Sequence, residues 1–195
     1  MKQLLFLLCG ATILVAFNLS DRHFISPSII NSKQMAQDTA VPVKVELEKT
    51  TCKDMQLLFI KDTAPTTEAI KDVTGKGYGE LMQYITENQL KPGKFMAWYY
   101  AMQPPWPMDI AVETDGTPAN LKGRIQSRIQ PGGEYVIAHV WGPYDQVGVA
   151  YVQLENWLKK NNRKAKAAPF EVYLNDPASA KTPMEIRTDV YQYIE

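Results

Sequence analysis

The chain is poor in the side chains that carry specialised chemistry. Two cysteines in 195 residues, Cys9 and Cys52, exclude a disulfide-dense scaffold and a four-cysteine zinc site. Two histidines, His23 and His139, are too few for a histidine-rich metal centre, and neither a metal nor a cofactor is expected. Lys plus Arg number 21 and Asp plus Glu number 21, so no basic surface draws the chain to a phosphate backbone and no nucleic-acid partner is expected. The glycines Gly75, Gly77 and Gly79 lack the Gly-Lys-Ser/Thr ending of a phosphate loop. No nucleophile motif can be assembled from the serines and histidines present. The apolar run Leu4–Phe17 falls short of the about 20 residues of a membrane span.

That run nevertheless follows Lys2 and meets no charge until Asp21, the pattern of a secretory leader. Small-x-small cleavage triplets fit it badly, so residues 1–20 read as either a signal peptide or an uncleaved N-terminal membrane anchor. The expected location is periplasmic or secreted, or else attached to the inner membrane through this segment. Residues 21–40 are polar, broken by Pro27 and without sustained periodicity, which marks a linker. The folded domain is expected over residues 41–195, long enough to bury a conventional core.

Within it, the residue pattern repeats. Val43–Leu47 and Met55–Ile60 read as strands; Ile70, Val73, Gly77, Leu81, Tyr84 and Ile85 form one apolar helical face. Thr66 or Thr67 is a candidate helix cap, and a break near Gly75 is expected from glycine's poor helix propensity. Phe95–Met102 and Asp109–Glu113 read as strands. The second half offers a strand over Glu134–Trp141 and then a helix capped by Asp145, with Val147, Ala150, Tyr151, Leu154, Trp157 and Leu158 on one face. Strands over Phe170–Leu174 and Met184–Val190 follow. Leu81, Tyr84 and Ile85 match Leu154, Trp157 and Leu158 at an offset of 73, while Phe95 and Trp98 match Phe170 and Tyr173 at 75. The expected fold is α+β: tandem strand-helix-strand-strand units forming an antiparallel sheet, with helices on one side and a ligand cleft between the halves.

Aromatic residues are the main chemical signal, with 10 Tyr, 4 Trp and 6 Phe. Such walls bind planar or cationic organic compounds by area burial, stacking and cation–π attraction; they also pack ordinary strand cores. Glu171 shares a strand face with Tyr173, while Phe170, Val172 and Leu174 face the other way and are expected to pack against helices. A carboxylate beside a phenol attracts a cationic ligand or acts as an acid or base. The Pro104-Pro105-Trp106-Pro107 loop is stiff and offers Trp106 as a cleft rim. His139 is expected to be a satisfied histidine packed with Ile137 and Trp141 rather than a catalyst. Arg124, Arg128, Arg163, Lys164 and Lys166 read as solvated charges.

The stretch HVWGPYDQVGVAYVQLENWLKKN (His139–Asn161), then PFEVYLNDP (Pro169–Pro177) and PMEIRTDVYQYI (Pro183–Ile194), resembles the GyrI-like small-molecule-binding family, also called the bacterial transcription activator or AraC effector-binding domain. The resemblance covers residues 41–195 and is strongest in the second half; FMAWYY (Phe95–Tyr100) is the looser counterpart in the first. It implies a duplicated unit with an aromatic cleft between halves, where the glutamate of the Glu-x-Tyr strand meets lipophilic cations. Here that pattern is Glu171 and Tyr173, and Trp98 or Tyr100 is the counterpart of the opposite wall. Some relatives hydrolyse electrophilic compounds with the cleft carboxylate. The expected function is therefore binding of a small hydrophobic organic molecule, neutral or cationic, through Glu171, Tyr173, Trp98, Tyr100 and Trp106. The alternative is a small hydrolase using Glu171 and Tyr173. No DNA-binding module is readable in the 40 residues before the domain, and no protein partner can be named.

Overall fold

The computed structural model describes residues 43–101 and 103–195. The leader or anchor expected at 1–20 and the linker expected at 21–40 lie outside the described residues. Among the described residues, no helix is long and apolar enough to cross a membrane.

Eight strands and two helices follow in the order β1 (Lys44–Cys52), β2 (Met55–Ala64), α1 (Ile70–Glu87), β3 (Pro92–Tyr99), β4 (Trp106–Thr114), β5 (Gln126–Gln130), β6 (Gly133–Trp141), α2 (Gly148–Lys160), β7 (Phe170–Tyr173) and β8 (Arg187–Tyr193). All strands join one antiparallel sheet in the order β1-β6-β8-β7-β3-β4-β2-β5. That order is unchanged when the halves are exchanged, as the expected duplication requires. The first strand of each half crosses over: β1 pairs with β6 and β5 pairs with β2.

Both helices lie on one face. Leu81, Tyr84 and Ile85 of α1 pack on Leu58, Ile60, Met108 and Ile110. From α2, Ala150, Tyr151 and Leu154 pack on Val136, Ala138, Val140 and Val190. α1 sits chiefly over β2 and β4, and α2 chiefly over β6, leaving the central strands β3 and β7 between them. The other face has its own aromatic core, in which Trp98 stacks on Phe170 at 4.5 Å and Phe170 on Tyr191 at 5.1 Å.

Several local expectations change. α1 runs unbroken through Gly75. Gly77 lies so close to β4 that a Cβ there would come within 2.6 Å of the Ile110 side chain. Neither Thr66 nor Thr67 caps α1: its N-cap position is Ala69, without a side-chain cap, and Thr66 Oγ1 accepts the Ala69 N–H at 3.3 Å in the turn before it. Asp145 makes no side-chain cap; it sits in a short 3-10 turn, Tyr144–Gln146, that leads into α2. The last strand begins at Arg187 rather than Met184, because Pro183 starts another such turn, Pro183–Glu185. The polar edge strand β5 has no counterpart in the sequence reading.

Candidate functional site

Strand alternation puts Glu171 and Tyr173 on one face of β7 and Phe170 and Val172 on the other. The structure reverses which face meets the helices. Phe170 and Val172 enter the aromatic core on the helix-free face. Glu171 points to the helices, beside its register partners Ala97 and Val190. Both faces of the sheet are buried, so apolar side chains occur on each and hydrophobicity does not single out the helix side.

Glu171 is 5% exposed, and its carboxylate is held by phenols. Tyr151 of α2 donates to Oε1 at 2.9 Å, and Tyr173 donates to Oε2 at 2.9 Å. The Tyr99 and Tyr173 hydroxyls meet at 3.1 Å. Tyr78 of α1 stands edge-on to Tyr173 and donates its own hydroxyl to the Met96 carbonyl at 2.9 Å. Tyr144, edge-on to Tyr173 at 5.4 Å and 39% exposed, forms the rim. One carboxylate and five tyrosines therefore meet above the central strands, between the two helices.

Hydrogen bonds to a charged acceptor are about twice as strong as neutral ones, and removing a partner from a buried polar group costs about 1–3 kcal/mol. Burial first, and the Glu171 charge second, raise the Tyr173 and Tyr99 hydroxyls above the ordinary phenol value. Burial, then Tyr99 and Glu171, do the same for Tyr78. The phenols consequently remain protonated donors at physiological pH. Aromatic rings of this kind can offer surface to an organic ligand, and an ionised carboxylate beneath them would add a negative field.

Of the sequence candidates, Glu171 and Tyr173 are brought together; the other three lie elsewhere. Trp98 is on the helix-free face, where the Arg128 guanidinium lies between the Trp98 and Phe59 rings at 4.3 and 4.5 Å. Tyr100 donates to Asp109 Oδ2 at 2.8 Å, and Arg128 pairs with that same oxygen. Tyr100 thereby lines a separate groove of about 430 Å³ with Lys61, Asp109 and Arg128. Arg128 is thus built into the sheet and is not the solvated charge expected. Trp106 is buried, its indole N–H on Thr67 Oγ1 at 3.3 Å. Tyr78 escaped the sequence reading, although it stands one helical turn before Leu81 as Tyr151 does before Leu154. Among the described residues, no cluster of three or more His, Cys, Asp or Glu is placed to hold a metal.

Solved structures share this architecture. EcmrR in its DNA complex superposes with a TM-score of 0.65 at 16% identity, covering 86% of this chain and 64% of that one. The present chain thus spans less than two thirds of EcmrR, but 99% of the separately solved EcmrR C-terminal domain. A hydrolase from Listeria innocua matches with a TM-score of 0.57 at 12% identity, covering 84% of this chain and 98% of that one. SAV2435, solved bound to tetraphenylphosphonium, matches with a TM-score of 0.50 at 12% identity, covering 77% of this chain and 94% of that one. At these identities the likeness is one of fold, and no curated protein matches the chain. The family model for the GyrI-like small molecule binding domain matches residues 46–194, nearly the whole described fold, and the chain belongs to that family.

Proposed function

We propose that the protein binds a small hydrophobic organic cation against the tyrosine cage above Glu171. The observation that carries this reading is the buried carboxylate whose two oxygens already accept phenol O–H groups. A ligand rich in N–H donors would have to displace those bonds. A quaternary ammonium, phosphonium or pyridinium ion needs no acceptor; it gains from the aromatic faces and from the field of the carboxylate. Tetraphenylphosphonium, held by the structurally similar SAV2435, is a cation of this class. The leader-like residues 1–20 support a site outside the cytoplasm, which cell fractionation checks.

Calorimetric titration with tetraphenylphosphonium and with neutral triphenylphosphine oxide tests the proposal. Glu171→Gln keeps the shape of the side chain but removes its charge. It is expected to weaken phosphonium binding at least about tenfold and leave the neutral analogue unchanged. Equal losses for both compounds would sink the electrostatic part of the reading. Turnover of an electrophilic organic substrate that vanishes in Glu171→Gln would instead support the hydrolase reading.

A further inference from the structure

The cage has a symmetry that its charge does not share. Ala97 and Glu171 are direct register partners on the two central strands. They stand as far apart in the chain as Tyr99 and Tyr173, 74 residues. The pseudo-twofold axis relating the halves therefore passes between Ala97 and Glu171. The offset of 75 suggested by the sequence pairs residues of opposite faces and is one residue too long here.

With 74 as the offset, Tyr99 and Tyr173 are mates and meet hydroxyl to hydroxyl. On the helices, where the halves match at an offset of 73, Tyr78 and Tyr151 are mates, each one turn before the matching buried leucine. One pair breaks the symmetry: the mate of Glu171 is Ala97, which is fully buried. The phenols follow the difference. Tyr151 donates its hydrogen bond to Glu171, whereas Tyr78 donates its own to the Met96 carbonyl. Asp176, which acts on the rim tyrosine Tyr144, is exposed and accepts the Ala178 N–H; water screens it.

We propose that Ala97 is a specificity-determining residue: by placing a methyl group where the symmetry would allow a second carboxylate, it holds the cage at one negative charge and selects monovalent over divalent lipophilic cations. The inference rests on the cation-binding reading above. One buried carboxylate offsets the desolvation of one positive charge; a second positive charge would enter without a partner, at a cost that binding must overcome. Discrimination is the difference between those two affinities.

The test uses two flat cations of similar shape, singly charged methylphenylpyridinium and doubly charged dimethylbipyridinium, titrated into the full chain. The wild type is expected to prefer the monocation by at least about tenfold. Ala97→Glu should narrow or invert that ratio and, without ligand, make the two facing carboxylates share a proton. Because a buried Ala97→Glu side chain strains the packing, the exchange variant Ala97→Glu/Glu171→Ala provides a second route, keeping one carboxylate and nearly the same volume. In it, Tyr78 and Tyr99 should assume the donor roles of Tyr151 and Tyr173, and the monocation preference should persist where Glu171→Ala alone loses it. Equal affinity of the wild type for both cations, or an unchanged ratio in folded Ala97→Glu, overturns the role of Ala97. Binding of neither cation to the wild type overturns the cation reading and this inference with it.

Discussion

His139 lies between two carboxylates on the helix-free face. Its Nδ1 is 2.8 Å from Asp189 Oδ1 on β8, and its Nε2 is 3.2 Å from Glu48 Oε2 on β1. The ring, 20% exposed, thus ties three neighbouring strands together, with Glu46 and Arg187 also acting nearby. Burial pulls the imidazole pKa down, but the bonds and charges of Asp189 and Glu48 outweigh it and hold the value above normal. A raised folded-state value means that the stabilisation is complete below the unfolded value of about 6.5 and disappears as pH rises through the folded one. His139→Gln should therefore lower the melting temperature by about 1–3 °C more at pH about 6 than at pH about 8, for a screened contribution below about 1 kcal/mol. An equal loss at both pH values would remove the imidazolium from the account. His139 was legible in the sequence as a satisfied histidine, and both ring nitrogens have partners. Its partners were not, because register brings Asp189 and Glu48 to it from distant parts of the chain. Glu171 shows the same limit: the period of two along β7 separated it from Phe170, yet with both sheet faces buried it could not say which face the helices cover.

At the scale of an element, α1 carries three glycines in two different settings. A Cβ at Gly75 or Gly79 would meet nothing within 4 Å, while at Gly77 it would come within 2.6 Å of Ile110 Cδ1 and 3.2 Å of its Cγ2. Since an exposed helical glycine gives up about 1 kcal/mol relative to alanine, Gly75→Ala and Gly79→Ala should each raise the melting temperature by about 2–4 °C. Gly77→Ala gains the same propensity but overpacks a buried contact, which typically costs about 1–3 kcal/mol; it should leave the melting temperature unchanged or lower it. Stabilisation by all three alike would mean that α1 is not seated on Ile110 as described. The expected break at Gly75 failed for a related reason: the packing of Leu81, Tyr84 and Ile85 on the sheet overrides local propensity. The strand β5 was illegible for the opposite reason. Its sequence QSRIQ has no clean apolar alternation, Ile129 is 59% exposed, and what holds it is Arg128, whose ion pair with Asp109 and ring contacts with Phe59 and Trp98 are all long-range.

For the whole molecule, the repeated strand-helix-strand-strand order was readable because hydrophobic periodicity is local to each unit. The exchange of first strands was not, since pairing β1 with β6 and β5 with β2 joins segments far apart in sequence. That exchange makes the halves mutually dependent. A fragment of residues 43–116 would contain β1 without its partner β6, and would leave β2 without β5 and β3 without β7. Residues 117–195 would be left with the converse gaps. Each piece would expose long unpaired strand edges and one side of the aromatic core, a state prone to edge-to-edge association. Neither fragment is therefore expected to melt cooperatively alone, whereas mixing them should restore one transition and, with both central strands present, tetraphenylphosphonium binding. The β3–β7 seam that completes the sheet also carries Glu171 and Tyr99 into one cage, so recovery of the melt and of binding should follow the same dependence on fragment concentration. A cooperative melt from either fragment alone, measured by circular dichroism, would show that the exchanged strands are dispensable and that the halves fold separately.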